Sequence, residues 1–70
     1  MTVKIYTTPG CPQCRATKRR LDARGVAYIE YDVSTDPWAD IEAGNLGYKS
    51  TPVVVTDTTS WSGYRPDLID

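Results

Sequence analysis

The sequence predicts a mixed α/β fold with short strands and helices in the order β-α-β-α-β-β-α. Three observations support this prediction: a β-prone run over residues 2–7, a helix-favouring segment over residues 12–24, and a second β-prone run over residues 26–33. A helix between two strands of one sheet makes the strands parallel, with a right-handed crossover. The later elements complete a four-stranded mixed sheet flanked by helices.

The first helix has recognisable signals at both ends. Pro12 suits the first helical turn, and Gly25 is placed to end the helix. Cys14, Thr17 and Leu21 share one face, which we expect to be buried. The charged residues that we expect to contact water are Arg15, Lys18, Arg19 and Asp22.

A second, shorter helix is predicted over residues 36–43. Its cap is Asp36 or Thr35, and a proline follows in the first turn. Gly44 and Gly47 are expected to close it.

A hairpin and a final helix complete the chain. The hairpin joins strands over residues 53–56 and 60–62, separated by a polar turn. The final helix is predicted to start within residues 65–69, and the end of the chain cuts it short. All elements fit one domain that spans residues 1–70.

Composition limits the classes of partner. A formal net charge of -1 lacks the cationic excess that a nucleic-acid backbone requires. The longest apolar run is Val53-Val54-Val55, which is too short to cross a membrane. No export signal precedes the first strand, so we expect a cytoplasmic monomer whose cysteines are exposed to reductants.

The motif Cys11-Pro12-Gln13-Cys14 has the strongest chemical interpretation. Cysteines three residues apart at a helix start lie on one side of the turn, so a disulfide can form without unwinding the helix. Free N–H groups and the helix dipole stabilise a thiolate on Cys11, which we predict to be the nucleophile. Cys14, one turn inside, is predicted to resolve the mixed disulfide. Pro12 rigidifies the turn.

Two other uses of the cysteine pair remain open. A structural zinc site needs four ligands, whereas the chain has two cysteines and no histidine. A purely structural disulfide across so short a loop would constrain the unfolded chain little. We therefore predict reversible redox cycling and no bound metal.

Thr51-Pro52, directly before the valine-rich strand, is a second feature of interest. Only about 5–6% of such bonds are cis in folded proteins, so the sequence alone favours a trans proline. By analogy with folds that carry a Cys-x-x-Cys helix, we predict a cis bond. That turn would offer the backbone of Thr51 to an extended peptide.

Basic residues on the first helix are a third feature. They would suit docking of an acidic partner, although a solvated helix surface explains them equally well. Arg15 is the best docking candidate because it is nearest the thiols. The full set is Arg15, Lys18, Arg19, Arg20 and Arg24.

Three stretches resemble the NrdH-redoxin family: residues 6–14 together with 16–18, residues 51–55, and residues 61–67. The most specific is Trp61-Ser62-Gly63-Tyr64-Arg65-Pro66, which is similar to the family's W-S-G-F-R-P signature with tyrosine in place of phenylalanine. The resemblance implies a thioredoxin-like fold with no cofactor of its own. It also implies electrons from NADPH through the FAD enzyme thioredoxin reductase, and donation to the large subunit of class Ib ribonucleotide reductase.

The resemblance further implies a partner-binding surface around the cysteines. Trp61, Tyr64 and Arg65 are expected to hold their segment beside Cys11 and Pro52, although an aromatic hairpin and helix entry would also explain them. The implied binding residues are Pro12, Gln13, Thr51, Pro52, Trp61, Ser62, Gly63, Tyr64 and Arg65.

Two other functions remain open: a glutathione-dependent glutaredoxin, and a binding module in which the cysteines are incidental. Glutaredoxins typically carry a lysine shortly before the first cysteine and a Gly-Gly-x-Asp turn later. Here Thr8 and residues 62–65 stand in those places, which predicts weak glutathione binding. Pro12, in contrast, is typical of glutaredoxins, since the NrdH-redoxin family more often has valine or methionine there.

Overall fold

The seven elements follow one another in the predicted order. The computed structural model describes residues 3–48 and 50–69, so Thr2, predicted to begin the first strand, lies outside the described residues. No helix in these two ranges is both long and apolar enough to cross a membrane. The elements are β1 (Val3–Thr7), α1 (Pro12–Ala23), β2 (Tyr28–Asp32), α2 (Pro37–Asn45), β3 (Val53–Val55), β4 (Ser60–Ser62) and α3 (Pro66–Ile69).

The four strands form one mixed sheet in the order β2-β1-β3-β4. Strand β1 is parallel to β2, and β3 is antiparallel to both β1 and β4. Tyr6 lies opposite Val53, so the end of β1 and the start of β3 meet at one end of the sheet. The loop into α1 and the loop before β3 therefore lie side by side. This arrangement confirms the predicted thioredoxin-like fold.

The boundary between α1 and β2 differs from the sequence prediction. The helix ends one residue early and the strand begins two residues late, because the chain needs a tight turn between them. Gly25 makes this turn in the left-handed region, at φ 70°. The N–H of Val26 then donates to the carbonyl of Leu21 at 3.0 Å, which closes the helix end.

Helix α2 extends two residues beyond its predicted end. Asp36 is the cap, as one of the two alternatives proposed, and its Oδ1 accepts hydrogen bonds from the N–H groups of Trp38 and Ala39 at 3.1 and 3.2 Å. Gly44 was expected to close the helix but lies inside it. Gly47, at φ 88°, follows the helix instead.

The two faces of the sheet are covered by different helices. Successive side chains of β1 point to opposite faces, so this strand contributes to both buried clusters. Helices α1 and α3 cover one face, and α2 covers the other. The buried cluster under α1 comprises Val3, Ile5, Leu21, Val54 and Trp61. The cluster under α2 comprises Tyr6, Ala39, Ala43 and Val53.

The predicted faces of α1 are largely confirmed. Cys14, Thr17 and Leu21 are buried. Lys18, however, was expected to contact water and is half-buried, because its Nζ lies 3.0 Å from Oε2 of Glu30 on β2. An ion pair therefore ties the charged side of α1 to the neighbouring strand.

Candidate functional site

The two cysteines form a disulfide at the start of α1, with their Cα atoms 5.2 Å apart. Cys11 caps the helix, since its Sγ accepts a hydrogen bond from the N–H of Cys14 at 3.1 Å. Cys14 is only 2% exposed, whereas Cys11 is half-buried. A reacting thiol or disulfide can therefore approach the sulfur of Cys11 more readily than that of Cys14.

The main chain of Thr51 lies against the accessible sulfur. The Thr51-Pro52 peptide bond is cis, as predicted. The carbonyl oxygen of Thr51 is 4.0 Å from the Sγ of Cys11, and its hydroxyl donates to the same sulfur at 3.9 Å. The hydroxyl of Thr8 is 2.8 Å from that of Thr51. The two loops at this end of the sheet are thus joined beside the disulfide.

The segment after β4 is held at the site by its main chain. The N–H of Gly63 donates to the carbonyl of Pro52 at 2.8 Å, and the N–H of Tyr64 donates to Oε1 of Gln13 at 3.3 Å. Gly63 has a φ of 84°, a conformation that favours glycine. Gln13 therefore connects the cysteine turn directly to this segment.

The side chains of this segment point in several directions. Trp61 is only 7% exposed and lies in the core opposite Val54. Arg65 contacts both carboxylate oxygens of Asp67, at 3.2 and 3.0 Å, rather than the cysteines. Tyr64 is 38% exposed. Trp61 thus anchors β4, while the hydrogen bonds that join this segment to Pro52 and Gln13 come from the main-chain N–H groups of Gly63 and Tyr64.

A groove beside the disulfide carries balanced charge. The hydrogen bond and charge of Lys18 hold the pKa of Glu30 below its usual range, with a further hydrogen bond from the hydroxyl of Thr7. Within the described part of the chain, no group of three or more His, Cys, Asp or Glu side chains is placed to hold a metal. The lining of this disulfide groove includes both cysteines and four charged residues: Cys11, Cys14, Arg15, Lys18, Glu30 and Asp32.

Sequence reasoning missed the contacts that organise the site. Gln13 was selected as a binding residue, but its bond to Tyr64 spans 51 residues of chain. The contact between Thr8 and Thr51 spans 43 residues. No local sequence pattern relates such distant polar groups, so only the three-dimensional fold reveals them.

Comparisons with known proteins agree with this geometry. The glutaredoxin family model matches residues 3–61. The glutaredoxin-like protein NrdH of Salmonella typhimurium is 40% identical over 70 residues, covering 100% of this chain and 86% of the relative. The gene 56 protein of Mycobacterium phage L5 is 41% identical over 70 residues, covering 97% of this chain and 68% of the relative.

A solved structure shows the same fold. NrdH-redoxin from Escherichia coli, a glutaredoxin-like protein with a thioredoxin-like activity profile, superposes with a TM-score of 0.94 at 40% sequence identity. The match covers 99% of this chain and 91% of that chain. The chain therefore belongs to the glutaredoxin family, as an NrdH-like redox protein with its disulfide between Cys11 and Cys14.

Proposed function

We propose that this protein is a protein-disulfide reductase that carries electrons from thioredoxin reductase to the large subunit of class Ib ribonucleotide reductase. One observation supports it above others: an accessible sulfur, Cys11, is bonded at a helix start to the buried sulfur of Cys14. NADPH and FAD act in the reductase, and this chain needs neither. It would act as a monomer in the cytoplasm, where thiols are kept reduced.

The reaction is a pair of thiol–disulfide exchanges. The thiolate of Cys11 attacks one sulfur of the acceptor disulfide, forming a mixed disulfide and releasing the other sulfur, which takes a proton from solvent. Cys14 then loses its proton and attacks Cys11, so the second acceptor thiolate leaves and the internal disulfide forms. Two electrons pass to the acceptor. The N–H of Cys14, 3.1 Å from the sulfur of Cys11, is placed to stabilise the attacking thiolate.

Two positions that glutaredoxins use for glutathione carry other groups in this protein. Glutathione has two carboxylates and needs cationic or N–H donors for them. Thr8 stands where glutaredoxins have a lysine, and its hydroxyl contacts Thr51. Arg65 is bound to Asp67. Pro12 is the residue that resembles glutaredoxins, so glutathione is the alternative donor to test.

A coupled assay distinguishes the two donors. Oxidation of NADPH is followed with insulin as the disulfide acceptor, either with thioredoxin reductase or with glutathione and glutathione reductase. We expect turnover with thioredoxin reductase, and Cys11→Ser is the matched control in both assays. Turnover with glutathione alone would reject the proposed donor. Deoxyribonucleotide formation by class Ib ribonucleotide reductase, with this protein as the sole reductant, tests the acceptor.

A trapping experiment separates electron transfer from simple binding. Cys14→Ser retains the nucleophile but cannot resolve the mixed disulfide, so it should accumulate as a covalent complex with the acceptor that dithiothreitol reverses. Cys11→Ser should form no such complex. A binding module would instead retain its function without either thiol.

A further inference from the structure

The charged residues of the two longer helices are segregated across the sheet. Helix α1 carries four cationic side chains and one acidic side chain, whereas α2 carries two acidic side chains and no cation. The helices cover opposite faces of the sheet, and the disulfide lies at the start of α1, beside Thr51 in the loop before β3. The helix charges are therefore mainly positive on the face that α1 covers and negative on the face that α2 covers.

Several of these charges are already paired within the chain. Lys18 bonds Glu30 at 3.0 Å, and Glu42 lies 3.8 Å from Lys4. The exposed side chains of Arg15, Arg19 and Asp40, in contrast, make no ion pair with any residue in the described ranges. A partner can therefore bind these three charges without breaking an ion pair within the described part of the chain.

The available charges line grooves on α1 and α2. The α2 groove has a volume of about 490 Å³; its lining includes Asp40, Thr8 and Thr51, and the last two contact each other beside Cys11. The α1 groove has a volume of about 200 Å³ and is lined by Ala16, Arg19, Arg20, Ala23 and Tyr64. Arg15, one turn before Arg19, lines the disulfide groove itself.

We propose that the acceptor segment docks in one charge-determined orientation. Acidic residues on one side of its reactive cysteine contact Arg15 and Arg19, and basic residues on the other side contact Asp40. The reverse orientation would place like charges together on both sides, which opposes docking. The partner class is therefore a protein segment of opposite charge on the two sides of its disulfide cysteine. This inference rests on the proposed reductase function.

Two peptides of identical composition test this orientation. Each has a central cysteine in a disulfide with 2-mercaptoethanol; one has glutamates before the cysteine and lysines after it, and the other has the reverse order. The peptides share length, net charge and leaving group, so the ratio of their reduction rates reports the polarity of the docking surface. We expect one order to react about fivefold faster at low ionic strength, because each partly exposed ion pair contributes at most about 1 kcal/mol. Salt should reduce the ratio towards one.

Variants test whether the named charges cause the difference between the reduction rates of the two peptides. Arg15→Gln combined with Arg19→Gln should reduce it, as should Asp40→Asn. The triple variant Arg15→Glu, Arg19→Glu and Asp40→Lys should invert it. The control is Thr58→Glu, which alters an exposed position in the turn at the far end of the sheet and should leave the ratio unchanged.

The possible outcomes separate the two proposals. Equal rates for the two peptides in the unmodified protein would overturn the charge-determined orientation and leave the reductase function standing. A ratio that persists in the Arg15, Arg19 and Asp40 variants would also overturn it. Failure to reduce either peptide would contradict both the orientation and the reductase function.

Discussion

The starts of α1 and α2 share one local architecture. In each helix, a cap residue in extended conformation precedes a proline in the first turn, and the side chain of the cap accepts hydrogen bonds from free N–H groups. The cap is Cys11 in α1, whose sulfur lies 3.1 Å from the N–H of Cys14. In α2 it is Asp36, whose Oδ1 lies 3.1 Å from the N–H of Trp38.

The two helix starts differ in their surroundings and in their chemistry. Asp36 can only accept hydrogen bonds, so its role is to begin a helix. The sulfur of Cys11 can also exchange a covalent bond, and it lies beside Thr51 and the second sulfur of Cys14. A cap residue that only stabilises the helix in α2 is thus a reactive group in α1, because the cap there is a cysteine and a neighbouring loop leaves its sulfur accessible.

Replacement of each cap by serine should show the largest contrast. Cys11→Ser removes the nucleophile and should abolish insulin reduction, while serine still caps the helix and preserves the circular dichroism spectrum. Asp36→Ser should preserve both insulin reduction and the circular dichroism spectrum, because serine is also a good helix cap. Measurable turnover by Cys11→Ser would mean that another group carries the electrons.

Shortening a buried side chain of each helix should give the next largest contrast, in the free energy of unfolding. Leu21 anchors α1 and is 3% exposed, so Leu21→Ala should cost about 2–5 kcal/mol of unfolding free energy in urea denaturation. Helix α2 is anchored by small residues, and Ala43→Gly should cost only about 1 kcal/mol. Equal losses would contradict the inferred difference in packing.

Loss of the α2 cap tests the structural role of the carboxylate. Asp36→Ala leaves two N–H groups without their partner and should lower the unfolding free energy by about 1 kcal/mol. Asp57→Ala, at an exposed turn, is the control and should change it by less than about 0.5 kcal/mol. Insulin reduction should be retained in both variants.

Removal of the Thr51 hydroxyl tests whether the loop before β3 influences the reactivity of Cys11. Thr51→Val keeps the shape but removes the donor 3.9 Å from the sulfur of Cys11. Because so long a hydrogen bond is weak, we expect alkylation of the reduced protein at neutral pH to slow only about twofold. Thr59→Val, in the distant turn, is the matched control. An unchanged rate for Thr51→Val would show that the contact does not stabilise the thiolate.

Local patterns in the sequence predicted the elements of the fold well. Proline after Cys11 and after Asp36 marked two helix starts, and the spacing of Cys14, Thr17 and Leu21 identified a buried face that the structure confirms. Gly44 was misinterpreted as a helix end because a single glycine is also tolerated inside a helix. Local patterns therefore gave the order of elements more reliably than their ends.

The candidate site was predictable only where its parts are close in sequence. The four-residue cysteine motif was enough to predict which cysteine is the nucleophile and which resolves the mixed disulfide. The role of Gln13 as hydrogen-bond acceptor for the N–H of Tyr64 appears only in the folded chain. The cis bond before Pro52 was expected by analogy, since the sequence alone favoured trans. Long-range polar contacts leave no periodic signal in a single sequence.

The smallest expected effect concerns the ion pair that ties α1 to β2. The hydrogen bond from Lys18 lowers the pKa of Glu30 from 4.5, so this carboxylate stabilises the folded protein above that value and loses its contribution as pH falls through the lowered pKa. Because both side chains are partly exposed, Glu30→Gln should cost at most about 0.5 kcal/mol at neutral pH. Urea denaturation of both proteins at neutral and acidic pH checks the prediction, with Lys18→Met as the matched variant. An equal cost at both pH values would show that the charge of Glu30 is not what joins α1 to its neighbouring strand.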